Sequence, residues 1–149
     1  MNILVTGGTG FVGKALVTAL LSRGDSVTVL TRSIEKAQSI FPEKTPQFLT
    51  ALSALNNLND FDAVVNLAGE PIFDKKWTVQ QKEKLRRSRI DLTQQLVQLI
   101  NQSEYPPALI SGSATGIYGN CGNEQITENT NPSTQFTAQL CIDWENAAK

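Results

Sequence analysis

The chain has 149 residues, of which 40% are hydrophobic and 18% are charged, and its formal net charge is −1. These values are typical of one soluble globular domain, and they exclude a broad electrostatic attraction to nucleic acid or to membranes. The sequence has no histidine, which excludes a Ser-His-Asp triad and most transition-metal sites, so we predict no metal. The two cysteines, Cys121 and Cys141, lack metal-binding spacing and indicate a reducing, cytoplasmic location. Neither a targeting leader nor an apolar run of membrane-spanning length is apparent.

Short apolar runs alternate along the chain with longer segments of helical periodicity. The runs that we predict as strands are residues 2–5, 26–31, 46–49, 63–67 and 108–111. The segments that we predict as helices are residues 12–23, 33–40, 78–101 and 133–149, the third as one continuous helix. Residues 112–131 are rich in Gly, Asn, Thr and Ser and are predicted as a loop. Strands without polar–apolar alternation are buried on both faces, so the order predicts an α/β fold: a doubly wound parallel sheet with helices on both faces.

A glycine-rich segment, TGGTGFVG at residues 6–13, lies directly between the first predicted strand and the first predicted helix. In this context Gly7 permits a tight turn, Gly10 lets the backbone approach a pyrophosphate, and Gly13 allows the helix to pack closely on the strand. The helix N-terminus then offers free N–H groups and a partial positive charge to phosphate. A tight turn that binds nothing is the alternative, but such a turn does not need three glycines at this spacing. We predict a dinucleotide site formed here by Gly7, Thr9, Gly10, Phe11, Val12 and Gly13.

The end of the second predicted strand indicates which dinucleotide binds. In folds of this kind an acidic residue here binds the ribose 2′-hydroxyl of NAD(H), whereas an arginine accommodates the 2′-phosphate of NADP(H). This chain has Thr31 at the acidic position, followed by Arg32 and Ser33. A guanidinium matches the geometry of a phosphate, and the serine could add a hydroxyl. We predict that NADP(H) is preferred over NAD(H), with a solvated surface arginine as the alternative.

The Gly-x-x-Gly-x-x-Gly spacing resembles the extended branch of the short-chain dehydrogenase/reductase superfamily, which includes the NAD-dependent epimerases and dehydratases of nucleotide sugars. Several later segments resemble one atypical group of that branch, usually called "epimerase family protein". These segments are DAVVNLAG at 62–69, GEPI at 69–72, KWT at 76–78, RSRI at 87–90, Cys141, and the pair Trp144-Glu145. The resemblance runs along the whole chain but covers only about half of a usual family member.

The resemblance implies that residues 1–149 form one NAD(P)-binding Rossmann domain. It also implies that the C-terminal half, which supplies most of the substrate pocket in the family, is absent. It places Ala68 and Gly69 beside the cofactor, although a glycine that simply ends a strand is the alternative. The implied activity is that of an NADP(H)-dependent oxidoreductase or epimerase-like protein acting on a small molecule, with a sugar-nucleotide-like compound as one option.

Typical relatives handle the proton with a Ser or Thr after the fifth strand and a Tyr-x-x-x-Lys pair on the following helix. The resemblance matches the serine to Ser113, with Ser111 as the second choice. At the positions of the Tyr and Lys this chain has Phe136 and Leu140 in one register, and Thr137 and Cys141 in the other. The usual acid/base pair is therefore missing from the sequence.

Two further residues are candidates for moving the proton. Tyr118 supplies a phenol near the end of the fifth strand, with a packed loop aromatic as the alternative. Glu70 follows the fourth strand, at the sheet edge where ligands bind in open α/β folds, with a carboxylate that caps backbone N–H groups as the alternative. The predicted catalytic candidates are therefore Ser113, Tyr118 and Glu70.

The missing pair leaves open whether the protein is an enzyme, and a non-catalytic NADP(H)-binding sensor or scaffold is the alternative. The last predicted helix ends at residues 147–149 without a C-cap signal, which indicates a chain cut within its fold and an exposed sheet edge. We expect a dinucleotide and a small-molecule substrate as partners, no nucleic acid, no membrane, and a homo-oligomer formed through that edge.

Overall fold

The computed structural model describes residues 1–42 and 45–149, which form a five-stranded sheet flanked by helices. The strands are β1 (Asn2–Thr6), β2 (Ser26–Leu30), β3 (Gln47–Leu49), β4 (Ala63–Asn66) and β5 (Ala108–Ser111). The helices are α1 (Phe11–Arg23), α2 (Ile34–Ile40), α3 (Val79–Arg87), α4 (Ile90–Asn101) and α5 (Phe136–Ala147), with 3-10 turns at Leu52–Ala54 and Thr115–Ile117. The strand order is β3-β2-β1-β4-β5, and each pair is parallel. This arrangement confirms the predicted Rossmann-type α/β fold.

Two apolar clusters lie on opposite faces of the sheet because successive side chains of a strand point to opposite faces. In β1, Ile3 and Val5 belong to the cluster that also contains Val17 of α1, whereas Leu4 belongs to the cluster that contains Leu96 of α4. Both faces of the central strand are therefore covered by helices. This explains why the sequence of β1 is continuously apolar instead of alternating.

The predicted strands agree with the structure to within one residue at each end. The first helix is also well predicted, since α1 ends at Gly24, whose φ of 93° is in the left-handed region that favours glycine at a helix end. The predicted loop over residues 112–131 is confirmed, apart from the 3-10 turn that it contains. In the part of the chain that the structure describes, no helix is long and apolar enough to cross a membrane.

The prediction of one continuous helix over residues 78–101 is wrong, because the helix is broken between α3 and α4. In an unbroken helix the Leu85 carbonyl would accept a hydrogen bond from the Arg89 backbone N–H. Here that carbonyl accepts from the Ser88 hydroxyl at 2.9 Å and from Arg89 Nη1 at 3.3 Å. The Arg89 backbone N–H donates instead to Arg86 O at 3.1 Å. Two side chains thus compete with the helical hydrogen bond, and the regular helix is interrupted at Ser88 and Arg89.

Candidate functional site

A groove of about 1010 Å³ crosses the carboxyl edge of the sheet, at the point where the strand order reverses between β1 and β4. Ligands of open α/β sheets bind at such a point. One end of the groove is lined by residues that follow β2, the middle by the loop after β1, and the other end by residues that follow β4. In this order, the lining includes Arg32, Ser33 and Lys36, then Gly7, Thr9 and Gly10, then Ala68, Gly69, Glu70 and Ser88.

The loop after β1 has the geometry of a phosphate cradle. Gly7 has a φ of 68°, and a Cβ at this position would lie 2.6 Å from the Leu67 carbonyl carbon and oxygen. A Cβ at Gly13 would lie 2.1 Å from Gly7 O, so helix α1 packs directly on the loop. Gly10 caps α1 without a side-chain hydrogen bond, and a Cβ there would come near only Gly7 O, at 3.2 Å. The N-terminus of α1 therefore presents backbone N–H groups that no capping side chain occupies, which suits an anion such as a pyrophosphate.

Phe11 and Val12 form the first turn of α1, and their side chains do not line the groove. The Phe11 residue is 98% exposed and Val12 is 62% exposed. In the first turn of α1 their backbone N–H groups remain available for their predicted contribution to dinucleotide binding. The predicted role of Thr9 agrees better with the structure, since this residue is exposed and lines the groove.

The turn after β2 places two cations at one end of the groove. Thr31 donates its hydroxyl to Ser33 O at 3.1 Å, and the Ser33 hydroxyl accepts from the Lys36 backbone N–H at 3.4 Å as the N-cap of α2. Both hydroxyls thus make hydrogen bonds within the turn. Arg32 and Lys36 line the groove and are exposed, and neither makes an ion pair with another described residue. Lys36 was not predicted, because only the position of α2 brings it beside Arg32.

A buried network of polar side chains below the groove was also missed from the sequence. Asn66, the last residue of β4, accepts from the Thr6 hydroxyl at 2.7 Å and donates to Thr93 Oγ1 at 2.8 Å and Ser111 Oγ at 3.2 Å. Trp144 Nε1 also donates to Thr93 Oγ1, at 3.1 Å. The network joins the ends of β1, β4 and β5 to α4 and α5. The only signal in the sequence was an amide side chain at the end of an apolar strand.

Glu70 lies in the groove, and its carboxylate is paired with lysines. Glu70 Oε1 lies 2.9 Å from Lys84 Nζ and 3.7 Å from Lys75 Nζ, and the side chain is only 12% exposed. The hydrogen bond from Lys84 lowers the pKa of the Glu70 carboxyl, and the nearby charge of Lys75 acts in the same direction. A carboxylate with a lowered pKa is a weaker base. These contacts favour a role in fixing the loop after β4 on α3.

The other two catalytic candidates do not line the groove. The Ser113 hydroxyl donates to the Glu145 carboxylate on α5. Tyr118 is half-buried and directly follows the 3-10 turn at Thr115–Ile117. Ser111, the second choice for the serine, accepts from Asn66 and is part of the buried network. The structure therefore brings only Glu70 into the groove.

Helix α5 turns one face toward the loop that follows β5. A Cβ at Gly116 would lie 3.6 Å from Thr137 Cβ, and the Ser113 hydroxyl donates to the Glu145 carboxylate. The Ala114 backbone also lies near the Cys141 thiol and acts to lower its pKa. The two residues of the second register, Thr137 and Cys141, therefore face the end of β5. Burial raises the pKa of the Cys141 thiol, so the thiol is not an activated nucleophile.

The alternative register places Phe136 and Leu140 at the positions of the Tyr and the Lys. Leu140 is buried in the protein interior. The Phe136 ring packs against Trp77 with ring centroids 5.8 Å apart, and Lys82 Nζ lies 5.0 Å from the Phe136 centroid. Neither residue therefore faces the loop after β5.

Comparison with known proteins gives a consistent result. Residues 3–148 match the model of the NAD dependent epimerase/dehydratase family. The chain is 38% identical over 154 residues to "Epimerase family protein SDR39U1 homolog, chloroplastic" of Arabidopsis thaliana, and the match covers 99% of this chain and 44% of that protein.

Two solved structures share the fold. The human epimerase family protein SDR39U1 (isoform 2), solved with NADPH, is 30% identical with a TM-score of 0.85, and the match covers 100% of this chain and 49% of that one. The UDP-glucuronic acid 4-epimerase of Bacillus cereus, solved with UDP-glucuronic acid and NAD, is 26% identical with a TM-score of 0.77, covering 99% and 51%. The chain thus spans about half the length of these relatives.

Proposed function

The chain belongs to the NAD dependent epimerase/dehydratase family, and on that premise we propose that it binds NADP(H) in the groove as the cofactor-binding part of an oxidoreductase or epimerase-like enzyme. The observation that carries the proposal is the continuity of the groove. It runs from the two cations after β2, over the glycine loop, to Ala68 and Gly69 after β4. This is the order in which a dinucleotide meets the strands of a Rossmann-type fold.

The preference for NADP(H) is based on Arg32 and Lys36. Glu70 is the acidic residue that lines the groove among the described residues, and it is paired with Lys84, so the groove offers no free carboxylate to the ribose 2′-hydroxyl of NAD(H). Two cations without ion pairs suit a 2′-phosphate instead. The human relative was solved with NADPH, whereas the Bacillus cereus epimerase was solved with NAD.

When bound, the nicotinamide would supply hydride-transfer chemistry, and the protein would position it. Gly7, Thr9 and Gly10 would hold the pyrophosphate, with the backbone N–H groups of Phe11 and Val12. Ser113, Tyr118 and Glu70 remain the candidates for moving the proton. The substrate is proposed to be a small molecule, because relatives of this fold were solved with sugar nucleotides. Most of its pocket would lie in the half of the relatives that this chain does not span. A cytoplasmic location stays a prediction based on the two free cysteines.

A non-catalytic NADP(H)-binding module is the second candidate. It is favoured by the face of α5 that carries Thr137 and Cys141, where typical relatives have their acid/base pair. Oxidation of NADPH by any member of a broad panel of carbonyl compounds would exclude this candidate. Binding of NADPH without turnover of any compound would favour it.

The substitution Arg32→Asp tests the cofactor preference. It removes the guanidinium and adds a carboxylate that can accept from a 2′-hydroxyl, so we expect about tenfold weaker NADPH binding and a preference for NADH. Fluorescence titration of both cofactors at one salt concentration measures the two affinities. Arg87→Asp, on the exposed face of α3, makes the same change in net charge and should leave the ratio unchanged. An unchanged ratio in the Arg32 variant would refute the proposed role of Arg32.

We also propose that the protein self-associates through β5. This strand is paired on one side only, with β4, among the described strands, and Ile110 within it is 59% exposed. An exposed apolar strand edge favours pairing with a second chain. Light scattering should therefore report a mass above 16.3 kDa, and a clean monomer would contradict this assignment.

A further inference from the structure

Arg89 is a buried cation with no carboxylate partner among the described residues. It is 9% exposed and precedes α4 at the helix break. Its guanidinium lies on the ring of Trp144, with Cζ 5.4 Å from the ring centroid. By contrast, the neighbouring Arg86 and Arg87 pair with Asp143 and Glu83. Burial lowers the pKa of the Arg89 guanidinium, and the charge of Glu70, which forms no ion pair with it, offsets only part of this effect, so the arrangement calls for an explanation beyond packing.

The Arg89 guanidinium joins the segment after β4 to the helix break, where Nη1 also donates to the Leu85 carbonyl at 3.3 Å. Arg89 Nη2 donates to the Glu70 carbonyl at 3.1 Å, and Nη1 donates to Ser88 Oγ at 3.3 Å. Ser88 Oγ in turn accepts from the Glu70 backbone N–H at 2.9 Å. Both backbone groups of Glu70 are therefore held by the two residues of the helix break.

Gly69 completes this arrangement. A Cβ at Gly69 would lie 2.7 Å from Arg89 Cζ and 2.8 Å from Nη2. The absence of a side chain at Gly69 is thus what admits the guanidinium. Gly69, Glu70 and Ser88 all line the groove, whereas Arg89 lies behind them. These three lining residues form one wall of the groove, and the Arg89 guanidinium fixes the position of that wall without lining the groove itself.

The position of that wall indicates which half of the cofactor it would contact. The adenosine ribose is bound at the end of the second strand and the pyrophosphate at the N-terminus of the first helix. The remaining half of the dinucleotide extends past β1 toward the end of β4. We propose that Arg89 is a positioning residue that holds Gly69 and Glu70 against the nicotinamide half of the cofactor; this inference rests on the proposed function.

The proposal predicts a selective loss of affinity. Arg89→Lys keeps the charge but loses the planar fork that reaches both Glu70 O and Ser88 Oγ. We expect NADPH to bind about tenfold more weakly to this variant, while adenosine 2′,5′-bisphosphate, which lacks the nicotinamide half, binds within about twofold of the wild-type affinity. Arg87→Lys is the matched control, since the exposed Arg87 side chain pairs with Glu83 and does not line the groove, and it should bind both ligands as the wild type does.

A second variant, at Gly69, disturbs the same contact between residue 69 and the Arg89 guanidinium. Gly69→Ala keeps Arg89 but pushes its guanidinium away from the wall, so the same selective loss is expected. A merely structural role would weaken both ligands in parallel, and that result, or unchanged NADPH binding in both variants, would overturn the proposal. If the wild-type protein binds neither ligand, the proposed function itself fails, and this inference fails with it.

Discussion

Gly13 shows how a single residue controls the geometry of the cradle. A Cβ at this position would lie 2.1 Å from a backbone oxygen and 2.7 Å from Gly8 Cα, so neither neighbour can move aside cheaply. The close approach of α1 to the loop therefore requires that residue 13 has no side chain. Gly116, in the 3-10 turn after β5, is different, because a Cβ there would make only an ordinary contact with Thr137.

We accordingly expect Gly13→Ala to destabilise the fold by about 1–3 kcal/mol through overpacking and to weaken dinucleotide binding. Gly116→Ala makes the same chemical change and should alter the free energy of unfolding by less than about 0.5 kcal/mol. Urea unfolding of the two variants gives the comparison. Equal stabilities would show that the contact between α1 and the loop is looser than described.

At the scale of elements, the charged contacts of Glu70 link the loop after β4 to helix α3. The hydrogen bond from Lys84 lowers the pKa of the Glu70 carboxyl below its ordinary value of 4.5. A group whose pKa is lowered by folding stabilises the protein when it is ionised. This contribution is therefore present above about pH 4.5 and is lost as the pH falls through the lower pKa of the folded state.

Glu70→Gln should reduce this acid sensitivity, because the amide carries no charge to lose. The effect is expected to stay below about 1 kcal/mol, since the lysine partners are exposed to solvent. The measurement is the free energy of unfolding at neutral pH and near pH 3, compared between the variant and the wild type. Asp74→Asn makes the same carboxylate-to-amide change at a residue that forms no ion pair among the described residues, and it serves as the control. Identical pH profiles for wild type and Glu70→Gln would contradict the assignment.

At the scale of the whole molecule, the sequence is informative where the pattern of apolar residues and glycines decides the structure. The apolar runs and the glycine spacing depend on neighbouring residues, so the strands, the order of elements and the position of the cradle could all be predicted. The helix break was missed because it depends on side chains at Ser88 and Arg89 competing for one carbonyl. The network around Asn66 was missed because its members lie 27 to 60 residues apart in the chain.

The catalytic candidates show the same limit. Ser113 is matched by the family resemblance and Tyr118 is chosen for its position near a strand end, yet neither lines the groove. Glu70 is chosen for its position after a strand and does line it, but paired with lysines. Position after a strand thus predicts the edge of the sheet on which a residue lies, whereas its partners depend on helices that are distant in sequence.

The groove over the glycine loop is proposed to bind NADP(H). The most direct test is a parallel titration of the wild-type protein with NADPH and NADH at one salt concentration, following cofactor fluorescence and the quenching of Trp77 and Trp144. We predict saturable binding of both cofactors, with NADPH bound at least about tenfold more tightly, because Arg32 and Lys36 meet the 2′-phosphate. Binding of neither cofactor would refute the proposed dinucleotide site, and tighter binding of NADH would refute the proposed preference for NADP(H).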